Sequence, residues 1–546
     1  RAPPWQHKMS TEEKVEVPAE APMSKKAIKK AAKEAAKKAA REEREAAKKA
    51  AEAEAFKKAV IQLTDDNVTT AQFGDAPFHK SQYTFDRTVT HICDLPAAEV
   101  GSSVWIRARL HNTRSTGKSA FLVAREKMDT VQCIGFLDET HPKAMFDYIK
   151  TVPKESIVEI QGTIQKPAEP ITSTTLSHIE LNITKFITLN RSNTVLPLEV
   201  EDAARPDSMY TEGCKFVRPG QATRLDNRVI DLRTPANQAI FRVRSRVCRA
   251  FRRFLDEQGF MEIQSPKLIG GASEGGSAVF HVDYFGTEAC LAQSPQLYKQ
   301  MAIVAGLERV FEIGPVFRAE SSHTHRHLCE FVGLDIEMEI KEHYHEILHV
   351  LSDLIVFIFE DVHTHCKKEI EAIRAQFPAE PLMWKKDVPV LTFAEAAAML
   401  QEKGIDQSPM EDFTTETERA LGRIVHETMG TDFYIVDKFP MAIRPFYTMP
   451  DCENPLVSNS YDLFIRGEEI TSGAQRIHDP AFLREQCEAK GIPVETIADY
   501  ARSFEYGAPP HGGAGIGLER VVMLMLGLDN CRRTSMFPRT PQRLYP

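Results

Sequence analysis

Arg318, Glu320, Arg326 and His327 fall within ten residues of one another in FEIGPVFRAESSHTHRHLCEF, residues 311–331. Each guanidinium offers a planar fork of donors, so two of them beside three histidines suit a ligand rich in anionic oxygens. A second constellation stands near the end of the chain, where Gly512, Gly513, Gly515 and Gly517 precede Glu519 and Arg520. A Gly-rich turn at a helix start can approach a phosphate closely, and an arginine just inside the helix can meet a terminal phosphate. The spacing is neither G-x-G-x-x-G after a first strand nor G-x-x-x-x-G-K-[ST], so the dinucleotide-fold and P-loop readings both fail. Close packing is the plain alternative for these glycines.

These side chains need elements to hold them. The apolar runs FEIGPVF and CEFVGLDIEM predict two strands joined by a polar loop. Upstream, NQAIFRVRSRVCRAFRRFLDEQGF predicts an amphipathic helix over about 236–258 that ends at Gly259, and MEIQSP predicts a strand that stops at Pro266. Strands are expected near 278–292 and 308–318, mainly helix over 341–375 and 393–430, and strands again from Asp432 in FYIVDKF and SYDLFIRGEEITSGAQRIHD. GGAGIGLERVVMLMLGL reads as a Gly-rich turn feeding an apolar helix.

Between about 86 and 190 the periodicity shortens. SVWIRARLHNTR, AFLVARE, TVQCIGFL, SIVEIQGTIQK and HIELNITKFITLN predict five short strands, the count of a small OB-type barrel. Phe121 is expected to begin one of these strands and Gln132 to lie in the next; an aromatic and an amide on a barrel face suit base stacking and base-edge hydrogen bonds. For each residue alone, core Phe and surface Gln is the plainer reading.

The bulk composition is that of a globular protein with more than one core, since 546 residues exceed one ordinary domain. No apolar run is long enough for a bilayer, so no membrane partner is expected. The start lacks an apolar signal core, and ten scattered cysteines show no C-x-x-C pair, which argues against secretion, a zinc site and a disulfide framework. Residues 24–59 carry thirteen Lys or Arg against six Glu, a local +7, which leaves −16 on the rest of a chain whose net charge is −9. Lys26, Lys30, Lys33 and Lys37 recur on one stripe of the helix predicted there. This basic arm on an acidic body is either a solvated tether or a nonspecific clamp on nucleic-acid phosphates.

Taken together, three segments resemble motifs 1, 2 and 3 of the class II aminoacyl-tRNA synthetases. They are the long helix, strand and Pro266; the strand–loop–strand with Arg318 and Phe331; and the Gly-rich strand and helix with Arg520. The fragments GASEGGSAVF, QSPQLYKQ, FEIGPVFRAE, THRHLCEFVGLDIEM, RPFYTMPD, NSYDLFIRGEEITSGAQRIHD and GIGLERVVM resemble the aspartyl-tRNA synthetases of the eukaryotic cytosolic type. The resemblance covers about 86–546. It implies an α+β chain with a basic extension over 1–60, an OB-fold anticodon-binding domain over 86–190, a linker over 191–225 and a catalytic domain over 226–546. That domain is expected to be an antiparallel sheet flanked by helices, with a helical insertion at about 341–430.

The resemblance also implies an activity and a set of roles. ATP and L-aspartate would form an aspartyl-adenylate, and the aspartyl group would pass to the 3′-terminal ribose of tRNA(Asp). Arg318 and Arg520 would be the catalytic cations. ATP would be bound by Arg318, Ala319, Glu320, Arg326, His327, Leu328, Phe331, Glu469, Gly517, Leu518, Glu519 and Arg520. Asp462 and Glu469 would hold Mg²⁺, a hard cation suited to oxygen ligands and bridging phosphates. Aspartate would be bound by Ser273, Glu274, Gln296, Lys299, Arg318, Asp335, Ser472 and Arg476, with Arg476 and Lys299 as the cations for its side-chain carboxylate. Phe121 and Gln132 would read the anticodon, and the motif 1 segment around Pro266 would build a homodimer. A cytoplasmic enzyme is expected, and membership of a multi-synthetase complex through the arm is compatible with the family.

An asparaginyl enzyme shares the fold and the ATP site but needs a mixed donor–acceptor pocket, and a lysyl enzyme needs acids there. A noncatalytic RNA-binding protein on the same fold would be free to lose Arg318, Arg520, Asp462 or Glu469. Two departures from the family pattern stand out. Ala514 replaces the usual glycine, which forbids a comfortable positive φ there, and the ending FPRTPQRLYP is looser than the common one.

Overall fold

The computed structural model describes residues 60–82, 84, 87–115, 118–139, 141–271 and 279–545. Lys26, Lys30, Lys33, Lys37, Ser273 and Glu274 therefore lie outside the described residues. The chain divides into two compact units at Val195.

The first unit is built on β1 (Phe73–Asp75), β2 (Ser103–Ser115), β3 (Ser119–Glu126), β4 (Asp129–Phe136), β5 (Ile157–Gln165) and β6 (Glu180–Asn190). The order is β1-β6-β4-β3-β2-β5, and β5 also pairs with β6, so five strands close into a barrel and β1 adds parallel to β6. Closure removes the exposed edges that a five-stranded sheet would otherwise present. Alternate residues point inward, as in β3, where Ala120, Leu122 and Ala124 are buried and Phe121 is exposed. The helix α1 (Lys143–Lys150) contributes Phe146 and Ile149 to the barrel core with Leu110, Val131, Ile160 and Phe186. Phe121 is the third residue of its strand, not the first.

The second unit is organised by an eight-stranded sheet. Its strands are β7 (Met261–Glu262), β11 (Arg309–Phe317), β12 (Glu330–Glu339), β13 (Val390–Thr392), β14 (Phe433–Asp437), β15 (Ser460–Ile465), β16 (Glu468–Gln475) and β17 (His511–Gly517). The order is β13-β14-β15-β16-β17-β12-β11-β7; the middle six strands are antiparallel and the two outer pairings parallel. A separate small sheet joins β8 (Leu268–Ile269), β9 (His281–Tyr284) and β10 (Thr287–Leu291).

The helix α2 (Pro235–Glu257) starts with proline in its first turn, where no hydrogen bond is lost. It buries Ile240, Val243, Val247, Phe251 and Leu255 at three- and four-residue steps. Gly259 follows it at φ +75°, the left-handed conformation that stops a helix. A short helix α3 (Gln296–Ala302) precedes β11. The predicted helical stretches resolve into α4 (His345–His365), α5 (Lys367–Gln376), α6 (Phe393–Glu402) and α7 (Thr415–Met429). Both α6 and α7 open with capping boxes, Thr392 with Glu395 and Thr414 with Thr417. The last main helix is α8 (Leu518–Leu526).

The Gly-rich segment differs from its expected form. Residues 511–517 are not a turn but a central strand between β12 and β16. A Cβ on Gly513 would lie 2.1 Å from the Ile336 carbonyl oxygen, and one on Gly512 would lie 2.6 Å from that of Ala474. These glycines serve close backbone approach, and none has a positive φ. Ala514 is extended and fully buried, so the missing glycine introduces no strain.

Candidate active site

One cavity of about 750 Å³ runs over the face of the large sheet, walled by residues from β11, β12, β16, β17 and α8. Its two ends differ. One is a ring of guanidinium groups around a polar loop; the other is a buried, charge-balanced floor.

At the first end, the loop between β11 and β12 leaves the sheet at Arg318, whose N–H bonds the Cys329 carbonyl at 2.9 Å. The Arg318 guanidinium lies 5.5 Å from the centre of the Phe331 ring, so an aromatic face and a cation share one wall. Glu320, Arg326, His327 and Leu328 line the cavity here, as do Gly517 and Arg520. Arg520 bonds the Arg326 carbonyl through Nε at 3.3 Å and the Glu469 carbonyl through Nη1 at 3.1 Å. Arg326 is paired with Glu418 of α7 at 2.7 Å, and His325 with Glu468 at 2.9 Å. Burial, and next the nearby Arg520 charge, lower the His327 pKa from its ordinary value and so disfavour the charged imidazole.

At the second end, the floor is a tetrad of two acids and two bases. Lys299 of α3 reaches Asp335 at 3.1 Å and Glu337 at 3.3 Å, and Arg476 reaches Glu337 with Nε at 2.9 Å and Nη2 at 3.2 Å. Asp335 and Glu337 alternate on β12, whose neighbours Gly333 and Gly515 leave room for the Asp335 carboxylate. Burial raises the Asp335 pKa against the pull of Lys299. Burial would raise Glu337 as well, but Arg476 and then Lys299 outweigh it and hold that carboxyl below its usual range. Arg476 also donates through Nη2 to Gln296 Oε1 at 3.3 Å and to the Gly513 carbonyl at 2.9 Å. Among the described residues its Nη1 has no hydrogen-bond partner, and Arg476 lines the cavity. A relay of polar groups fixes Gln296. Its Nε2 donates to Gln300, Gln300 meets His511 Nε2 at 3.0 Å, and His511 Nδ1 donates to the Pro509 carbonyl at 2.7 Å.

Not every expected residue reaches the cavity. Lys299 is buried and its ammonium is spent on Asp335, the Ile336 carbonyl and the Ala514 carbonyl, so it orients Asp335 from below the wall. Leu518 lies in the core, and Ala319 is not part of the wall. Glu519 borders the cavity, but its two oxygens are taken by Arg244 at 2.7 Å and the Val332 N–H at 3.0 Å, which ties α8 to α2 and β12.

Asp462 stands opposite Ser472 in the β15–β16 ladder. Arg444 sits between them, with Nη1 2.9 Å from the Ser472 hydroxyl and Nη2 3.0 Å from Asp462 Oδ2. Asp462 Oδ1 is buried and makes no hydrogen bond among the described residues. Burial pushes this carboxyl up to about 7; Arg444 pulls it down and the Glu469 charge adds to the rise. An unsatisfied carboxylate oxygen is the donor type that a hard divalent cation takes, and with Glu469, which lines the cavity as Asp462 does not, it would be one of two acids to hold such an ion. The described residues contain no cluster of three or more His, Cys, Asp or Glu side chains that could hold a metal ion.

In the barrel unit, Phe121 is 37% exposed and packs edge-on against Phe136, with ring centres 6.2 Å apart. Phe121 pairs with Ile134 across β3–β4, so Gln132, two residues from Ile134, projects on the same face. Gln132 donates to Glu180 through Nε2 at 3.0 Å, a bond that does not use its carbonyl oxygen.

Sequence reasoning missed Arg444, Glu337 and Glu418. Arg444 opens the fragment RPFYTMPD, where a charge before Pro-Phe-Tyr was a usable signal. Glu337 was visible as the second acid of an Asp-Ile-Glu alternation in an apolar strand. Glu418 sits on a helix about ninety residues from the loop it contacts, and no local pattern points to it.

Residues 220–541 match the family described as tRNA synthetases class II (D, K and N), and residues 104–189 match the OB-fold nucleic acid binding domain. Cytoplasmic aspartate–tRNA ligase 1 of Arabidopsis thaliana is 50% identical over 499 residues, 90% of this chain and 93% of that protein. The solved aspartyl-tRNA synthetase of Entamoeba histolytica superposes with a TM-score of 0.82 at 43% identity, covering 89% of this chain and 99% of that one. An asparaginyl-tRNA synthetase from Pyrococcus horikoshii, solved with asparaginyl-adenylate, superposes with a TM-score of 0.70 at 29% identity, covering 82% and 97%.

Proposed function

This chain belongs to the class II tRNA synthetases, and from that premise we propose how its geometry serves the ATP-dependent attachment of L-aspartate to tRNA(Asp). It is an aspartate–tRNA ligase, cytoplasmic as its relatives are named.

The observation that carries the substrate reading is the floor of the cavity. Arg476 is held by Glu337 through Nε and Nη2 and keeps Nη1 toward the cavity, a buried charged donor for the side-chain carboxylate of aspartate. A carboxylate brings the negative charge that a charge-assisted bond from Nη1 favours, whereas an amide brings none and adds an NH₂ donor that must find its own acceptor. Asp335 and Gln296 take the substrate ammonium, Ser472 borders it, and Lys299 acts by orienting Asp335. Ser273 and Glu274 close over the amino acid in this reading.

ATP lies toward the other end. Adenine stacks on Phe331 with Glu320 near its edge. Arg318 bridges the α-phosphate and the substrate α-carboxylate, while Arg326, His327 and Arg520 meet the outer phosphates. Asp462 and Glu469 would hold Mg²⁺, which would supply neutralisation of phosphate charge. The substrate carboxylate attacks the α-phosphorus and pyrophosphate leaves. Arg318 aligns the two reactants and stabilises the charge that develops. The 3′-terminal ribose hydroxyl of tRNA then attacks the adenylate carbonyl and AMP leaves. No protein nucleophile is needed.

In the barrel, Phe121 stacks on an anticodon base and Gln132 reads a base edge, while Lys26, Lys30, Lys33 and Lys37 contact tRNA phosphates. A homodimer forms around Pro266. Supporting it, β7 is the last strand of the large sheet, and Met261 and Leu268 flank Pro266 as exposed apolar side chains. Incubation with labelled aspartate, ATP and tRNA tests the reading: label should enter tRNA(Asp), and tRNA whose terminal ribose has been oxidised with periodate should accept none. Labelling of oxidised tRNA would contradict the assigned chemistry.

A further inference from the structure

Four residues from four separate elements close a ring at the outer end of the cavity. Arg326, in the loop between β11 and β12, donates to Glu418 Oε2 at 2.7 Å. Glu418, in the first turn of α7, accepts a longer bond from the Glu469 backbone N–H at 3.4 Å. The Glu469 carbonyl accepts from Arg520 of α8 at 3.1 Å, and Arg520 returns to the Arg326 carbonyl at 3.3 Å. Of the four, Glu418 alone does not line the cavity. It is 4% exposed and stands behind the other three.

The helix that carries it is fixed closely to the sheet. A Cβ on Gly422 would lie 2.3 Å from Gly467 Cα, so α7 and the β15–β16 turn meet backbone to backbone. The next residue, Arg419, contacts the same loop from outside, bonding His325 Nε2 at 3.0 Å and Glu468 at 2.7 Å. Two consecutive residues of α7 thus hold two consecutive residues of the loop. The hydrogen bond from Arg326 to Glu418 uses Nη1, and Nη2 and Nε make none among the described residues. A long arginine side chain has rotamer freedom to lose on binding, and a fixed partner on one nitrogen removes that cost beforehand.

We propose that Glu418 is a positioning residue for the outer phosphates of ATP: it holds Arg326 by Nη1, turns the rest of the guanidinium toward the phosphates, and sets the Glu469 backbone beside Arg520. This rests on the reading of the cavity as an ATP–aspartate site. Glu418 touches neither substrate, and its effect falls on the part of ATP that leaves as pyrophosphate.

The test is Glu418→Gln, which keeps size and removes charge, with Glu418→Asp as the variant that keeps charge. In ATP–pyrophosphate exchange, Glu418→Gln should raise the KM for ATP about tenfold and leave the KM for aspartate within about twofold. Glu418→Asp should fall between it and the unmodified enzyme. By calorimetry, a non-hydrolysable aspartyl-adenylate analogue, which lacks the outer phosphates, should bind both variants as it binds the unmodified enzyme. In an Arg326→Gln background, Glu418→Gln should weaken ATP binding by a smaller factor than it does in the unmodified enzyme, and an equal factor in both would overturn the coupling. An unchanged KM for ATP, or equal weakening of ATP and the adenylate analogue, would overturn the proposal. If Glu418→Gln does not fold, the same two readouts on Glu418→Asp decide it. Absence of aspartate-dependent exchange in the unmodified enzyme would instead defeat the underlying reading.

Discussion

Arg476 and Glu337 meet fork to fork beneath the cavity, Nε to Oε1 at 2.9 Å and Nη2 to Oε2 at 3.2 Å, with both side chains almost wholly buried. The pair spans β16–β12 through the intervening β17, whose Gly513 carbonyl accepts from the same guanidinium. Glu337→Gln leaves a buried guanidinium without its counter-charge. Removing one partner of a buried pair costs about 3–5 kcal/mol. Urea unfolding should register that loss, and an unchanged midpoint would contradict the pairing.

Arg476→Ala addresses function. Aspartate activation should be abolished while ATP still binds, because Arg476 lies at the opposite end of the cavity from Arg326 and Arg520. A normal KM for aspartate in this variant would remove Arg476 from its role.

The central strand separates two neighbouring positions sharply. Gly513→Ala places a methyl 2.1 Å from the Ile336 carbonyl and 2.4 Å from Glu337 Oε2, so it should yield little folded protein. Ala514→Gly, one residue on, restores the family's usual residue in an extended strand and should cost only about 0.5–1 kcal/mol. Comparable yields and melting temperatures for the two would contradict the strand geometry.

Stability should depend on pH through His511. Burial is the main cause of its lowered pKa, and its two ring nitrogens are already committed, one donating to Pro509 and the other facing Gln300. The unfolded chain therefore binds a proton more readily than the folded one. Stability is present above the ordinary histidine value of about 6.5 and is lost as pH falls below it, at up to about 1.4 kcal/mol per pH unit. Urea unfolding at pH 7.5 and 5.5 should show this, and His511→Gln should flatten the slope. An identical slope in the variant would assign the effect elsewhere.

Deleting residues 9–60 should weaken tRNA binding mainly at low salt, and reduce the slope of log affinity against log salt, while leaving adenylate formation intact. The same slope after deletion would reduce the arm to a tether.

Much of this was legible in the sequence because the signals are local. The α2 pattern gave a helix over 236–258 against the observed Pro235–Glu257, and the barrel strands follow their period-two alternation. Arg318, Arg326, Phe331 and Arg520 were picked from types and spacing, and they do line one cavity. What local pattern does not carry is direction. Lys299 looks like a substrate cation, but its helix turns it under β12 and β17, where two carbonyls and Asp335 consume its donors. The Gly-rich run looks like a phosphate turn, because glycine for positive φ and glycine for close strand approach read alike. Glu418 depends on a contact between residues far apart in the chain. The strand Val390–Thr392 is too short for periodicity to reveal.

The central claim is that the Arg476 floor selects aspartate. ATP–pyrophosphate exchange with aspartate, asparagine and lysine side by side, with Mg²⁺ and without tRNA, tests it most directly. The account predicts exchange with aspartate alone. Exchange with asparagine would mean that Arg476 and Asp335 are arranged for an amide, and no exchange with any of the three would mean that the cavity does not activate an amino acid.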